Sequence, residues 1–129
     1  MQILLTRTRA ALGVLVALTL ATPALAELRS LPVADGVWAM VGDKGQRSPE
    51  NLGNNATFGL IETDAGAVLI DAGGSYRGAE QLHAAIRNLT DRPVTLVINT
   101  GGQDHRWIGN GYWTEQGARI VAAEAAVED

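Results

Sequence analysis

The sequence predicts a layered α/β domain. Three observations predict it. A buried apolar strand, Val94–Ile98, ends in a dense polar turn. A hairpin of apolar strands lies upstream, and one clear amphipathic helix stands between the two. Buried strands that end in polar clusters are where α/β domains place their chemistry.

The elements follow in order. Gly36–Val41 reads as a strand. Residues 43–56, DKGQRSPENLGNNA, read as a solvated Gly/Asn-rich connector. Thr57–Thr63 and Ala67–Asp71 are the two strands of the hairpin, joined by Asp64-Ala65-Gly66. Glycine there supplies the positive φ that tight turns need. Asp71-Ala72-Gly73-Gly74-Ser75 then leads into a helix over 76–90. Its apolar face is Ala79, Leu82, Ile86 and Leu89 at helical spacing, and Ser75 is its N-cap. Pro93 ends it by disfavouring helical geometry at the residue before. The strand–Gly-Gly–helix order suggests a phosphate loop, but GxGxxG and GxxxxGK[ST] are both missing, which argues against a nucleotide. His83 reads as a helix-surface histidine, because no second His or Cys sits one turn away.

Downstream, Trp107–Gln116 reads as a short helix ending at Gly117, Arg119–Ala122 as a strand, and Ala123 onward as another helix. Trp107, Tyr112 and Trp113 are expected to cluster behind the polar turn, as packing that fixes it or as a substrate wall.

The chemistry-bearing residues lie in VTLVINTGGQDHRWIGN, from Val94 to Asn110. Arg106 reads equally as a binder of a carboxylate or phosphate and as the partner of a nearby acid.

This stretch resembles the metallo-β-lactamase-fold superfamily. There a strand is followed by Thr-His-x-His-x-Asp-His and then, two residues on, Gly-Asn. The upstream strand ending in Asp71-Ala72-Gly73 resembles the family's Asp-x-Gly. Two registers are open. Holding Thr100 and Gly109-Asn110 puts Gly101, Gln103, His105 and Arg106 at the ligand positions. Matching Asp104-His105 to the family's Asp-His puts Thr100 and Gly102 at the two early histidines. Either way both early histidines are missing. Zinc takes imidazole, thiolate or carboxylate ligands, and glycine offers none. The resemblance implies an altered zinc site with Asp104, His105 and Gln103 as metal ligands, Asp104, His105 and Arg106 as catalytic residues, and Asp71, Thr100 and Asn110 in supporting places; the other reading is a loop that keeps the family's shape without its metal. Asp71 reads either as organising the metal loop or as capping turn amides or the helix start.

The resemblance spans Leu31 to about Ala126 and implies the first half of a four-layer αββα sandwich. It implies metal-dependent hydrolysis of an ester, thioester or amide bond of a small-molecule substrate, with zinc as cofactor. The family's later ligands would fall beyond Asp129, so the chain reads as a truncated, impaired member. A missing C-terminal half, or a second copy in a homodimer, would cover its open sheet face. The alternatives are a non-catalytic exported binding or accessory module and an inactive gene fragment.

Residues 1–26 read as a secretory signal peptide. Arg7 and Arg9 precede an apolar run from Ala10 to Leu20, and Ala24-Leu25-Ala26 is a small-x-small cleavage site. The apolar run is too short to span a bilayer. Export to the periplasm or medium is therefore expected, with no membrane contact after cleavage. The remaining domain, 27–129, keeps eight basic and fourteen acidic residues, a net charge of −6. An acidic domain without a basic stripe is a poor nucleic-acid binder. The chain has no cysteine, so disulfides contribute nothing to its stability.

Overall fold

A computed structural model describes residues 25–128. The expected signal peptide lies almost wholly outside them.

Six strands form one sheet in sequence order: β1 (Arg29–Ala34), β2 (Val37–Val41), β3 (Thr57–Thr63), β4 (Gly66–Ile70), β5 (Val94–Asn99) and β6 (Arg119–Ala122). β1 to β4 pair antiparallel, and β4, β5 and β6 pair parallel. Parallel neighbours need crossovers, and helices supply them. α1 (Tyr76–Ile86) connects β4 to β5, while α2 (Asp104–Trp107) and α3 (Asn110–Glu115) connect β5 to β6. A short α4 (Ala125–Glu128) follows β6.

Strand periodicity separates the two faces. One register row runs Pro32–Trp38–Leu60–Leu69–Val97–Ile120 across all six strands. Leu60, Leu69 and Val97 in it are fully buried in the core with Phe58, Met40, Leu82, Ile86 and Trp113. The adjacent row runs Leu31–Ala39–Gly59–Ile70–Ile98–Val121. It is apolar too, yet Leu31 and Val121 stay 46% and 38% exposed. The sheet thus buries one apolar face under its helices and leaves the other partly open, as expected of half a sandwich.

α1 forms where its apolar period predicts but ends at Ile86 rather than at residue 90, with Arg87 as its C-cap. Ala79, Leu82 and Ile86 are buried, and Leu89 packs against the core from the turn beyond. The Ser75 hydroxyl caps the helix by accepting the Gly78 N–H at 2.8 Å. Gly66 takes φ +122° in the hairpin turn, with no room for a Cβ beside Thr95.

Four further expectations need correction. β1 was not anticipated; its pattern RSLPVA is mostly exposed and shows no alternation. The helix expected over 107–116 is two helices, broken at Ile108-Gly109. At the break the Gly109 N–H donates to the Gly73 carbonyl at 3.0 Å, and a Cβ on Gly109 would lie 2.1 Å from the Ala72 carbonyl oxygen. The last helix starts at Ala125 rather than Ala123. The 43–56 segment is not a solvated connector throughout, because Asn51 and Asn54 are 1% and 2% exposed. Asn54 donates to the Gly78 carbonyl at 2.9 Å and to Gln81 Oε1 at 3.0 Å, and accepts the Gly74 N–H at 3.2 Å. These bonds fasten the loop to the start of α1.

Candidate active site

The carboxyl ends of β4 and β5 lie side by side, and the loops that leave them meet. Backbone bonds stitch them together. Asp71 N–H donates to the Ile98 carbonyl at 2.9 Å, Ala72 N–H to the Arg106 carbonyl at 2.9 Å, and Gly109 N–H to the Gly73 carbonyl at 3.0 Å. The Trp113 indole N–H donates to the Ala72 carbonyl at 2.9 Å from the core side. Asn110 donates to Asn99 Oδ1 at 2.8 Å, and Asn99 donates to the Arg106 carbonyl. Asn110 is thus tied to the loop through Asn99. Its own Oδ1 is buried without a hydrogen-bond partner among the described residues.

Asp71 sits at the centre. It is 7% exposed and adopts φ +65°, a left-handed conformation that Asp tolerates better than most residues. Its carboxylate accepts the Thr100 N–H at 2.8 Å and the Thr100 hydroxyl at 2.9 and 3.0 Å. Asp71 thus ties the start of the loop after β5 to the end of β4. The Arg106 guanidinium approaches it, with Nη1 3.5 Å from Oδ2. Arg106 Nη1 also donates to the Thr100 hydroxyl, and its Nε and Nη2 each lie 3.2 Å from Gln103 Oε1. Of the two roles the sequence offered Arg106, the geometry shows the pairing with a nearby acid.

Asp104 opens α2, and its carboxylate turns towards the 43–56 segment. Arg47 grips it with two bonds, 2.6 and 2.7 Å. The paired guanidinium holds the Asp104 carboxyl below its usual value, helped by the His105 N–H at 2.7 Å. Nothing in the sequence marked Arg47, because its partner is 57 residues away. The His105 ring is half-buried, with Nδ1 3.8 Å from Asp104 Oδ1.

The aromatic residues divide. Trp113 is fully buried, and Tyr112 packs edge-on to it and to Tyr76. His83 joins them, its Nδ1 2.7 Å from the Tyr112 hydroxyl, so it is a packed histidine at the rim of the core. Trp107 stands apart from this cluster. It is 46% exposed and donates its indole N–H to the Gly102 carbonyl at 2.8 Å. It borders a cavity of about 500 Å³ with Asn99, Gly101, Gly102, Asn110 and Ile120.

The residues present do not fit a zinc centre of the kind the resemblance implies. Asp104 has both oxygens on Arg47, and Gln103 has its oxygen on Arg106. Among the described residues no three His, Cys, Asp or Glu side chains converge as a metal site would require.

Comparison with known proteins adds the lineage. A family model described as the metallo-beta-lactamase superfamily matches residues 53–116, from the buried asparagines through α3. A metallo-β-lactamase from Hirschia baltica superposes with a TM-score of 0.65 at 16% identity, over 79% of this chain and 46% of that one. One from Pseudomonas aeruginosa, in a mono-zinc form, gives 0.65 at 15% identity, over 81% and 45%. One from Pontibacter korlensis gives 0.61 at 22% identity, over 78% and 45%. The chain therefore spans somewhat under half the length of these structures.

Proposed function

Because the chain belongs to the metallo-β-lactamase superfamily, we propose that it is a hydrolase-like member whose metal-dependent chemistry is impaired in the half described here. The reaction class is cleavage of an ester, thioester or amide bond in a small molecule, as the lineage suggests. One observation carries the impairment. The loop that follows β5 offers one histidine and one aspartate, and that aspartate is held by Arg47. Three or four ligands are the usual requirement for zinc. The test is turnover of an aryl ester, a thioester and a β-lactam by the full chain, with and without added zinc. Rates equal to buffer support the reading. Zinc-stimulated turnover that His105→Ala abolishes contradicts it.

A second reading, a non-catalytic exported binding module, is favoured by the cavity beside Trp107. Cavities of this size suit small ligands. A compound that quenches the fluorescence of the full chain but not of Trp107→Phe supports this reading.

We read the open apolar face as a partner surface for either a further half-sandwich or a second copy of this chain. Light scattering on the full chain separates a dimer from a monomer. Export is read from residues 1–26 alone; fractionation of expressing cells tests it.

A further inference from the structure

The space a metal ligand would use is filled by a guanidinium. In the gapless register Gly101 stands at the first ligand position and Arg106 at the fourth. A Cβ built on Gly101 would lie 3.3 Å from Arg106 Cδ, 3.4 Å from Nε and 3.8 Å from Cζ. The Arg106 side chain therefore lies against Gly101, and a longer residue there would have to push it aside. From that position the cation reaches Asp71, Thr100 and Gln103 at once. A buried carboxylate such as Asp71 needs a nearby positive charge or several donors. Thr100 and Arg106 together provide both. The second guanidinium, Arg47, neutralises Asp104 with a two-bond fork, the geometry arginine favours for carboxylates.

We infer that Arg106 and Arg47 take over the structural work of a metal cation in the loop between β5 and α2, so that this loop folds and balances its charge with no metal bound. Arg106 joins the end of β4 to the loop after β5. Arg47 clamps the 43–56 segment onto α2. Both act as positioning residues. The inference concerns how the loop is held and stands whether or not the chain hydrolyses a substrate.

Thermal melting of the full chain in chelator and in excess zinc tests it, with zinc titration as the second readout. The wild-type chain is expected to melt at the same temperature, within about 1 °C, in both. Arg106→Ala is expected to melt several degrees lower in both, since about 1 kcal/mol corresponds to some 4–8 °C in a domain of this size. Arg47→Ala touches only an exposed pair, so it is expected to stay folded. It is also expected to bind zinc at least tenfold more tightly than wild type, because Asp104 is released beside His105. A wild-type melting point that falls in chelator overturns the inference. So does wild-type zinc binding as tight as that of Arg47→Ala. Failure of the hydrolase reading would show in turnover alone and leave these melting points unchanged.

Discussion

The carboxylate of Asp71 accepts both the backbone N–H and the hydroxyl of Thr100, at 2.8 Å and 2.9–3.0 Å. This bond pair joins the ends of two parallel strands, β4 and β5, at the point where their loops diverge. Asp71→Ala would leave the Thr100 donors and Arg106 without their acceptor, and would place alanine at φ +65°. The expected loss is about 2–4 kcal/mol, combining unsatisfied part-buried donors with left-handed strain. Urea denaturation checks it; a loss below about 0.5 kcal/mol would mean the pair is incidental, within the range of ordinary surface changes.

Asn54 holds the 43–56 segment by three bonds to Gly74, Gly78 and Gln81. Its amide is almost completely buried. Asn54→Ala is expected to cost about 2–3 kcal/mol by stranding those groups. Hydrogen exchange should then quicken at Gly74 N–H. Unchanged exchange there would show that the segment is held by other contacts.

Gly109, between α2 and α3, packs so closely that a side chain there would press on the Ala72 carbonyl oxygen at 2.1 Å. Its φ of −71° is open to any residue, so the constraint is space alone. Gly109→Ala is expected to destabilise by about 1–3 kcal/mol or more, the cost of forcing packed groups apart. A melting temperature equal to wild type would refute the close contact.

His83 supplies the pH dependence. Burial pushes its pKa below the ordinary histidine value, and the nearby Arg87 guanidinium adds to the shift. The folded chain therefore prefers the neutral ring that pairs with the Tyr112 hydroxyl. Between the folded value and the unfolded value of about 6.5, the unfolded chain binds the extra proton. This stability is present above about pH 6.5 and is lost as pH falls through the lowered folded value. Melting curves at pH 7.5 and pH 5 should show a fall in the wild type that is smaller in His83→Gln. An equal fall in both would assign the acid sensitivity elsewhere.

Much of the scaffold was legible because it rests on local rules. The apolar period of Ala79, Leu82 and Ile86, the cap at Ser75, the hairpin turn before Gly66 and the strand from Val94 to Ile98 all stand where the pattern placed them, although only Val94 and Val97 of that strand are buried and Thr95 is exposed. β1 escaped because an exposed edge strand carries no alternation to read. The site was legible only in its frame. Thr100 and Asp71 bond to each other, and Asn110 bonds to Asn99. The grip of Arg47 on Asp104 was not legible, since sequence spacing says nothing about a pair 57 residues apart. Nor was the burial of Asn51 and Asn54. Their neighbours Gly53 and Asn55 made the stretch look solvated, whereas the asparagines satisfy backbone groups that the tight passage between loop and helix would otherwise strand.

The central claim is that the loop after β5 keeps the superfamily's shape without its metal. Size-exclusion chromatography of the full chain with in-line elemental detection tests it most directly, after equilibration with zinc. The account predicts a folded species that carries far less than one zinc per chain. One or two zinc ions per chain, co-eluting with that species and lost in His105→Ala, would contradict it.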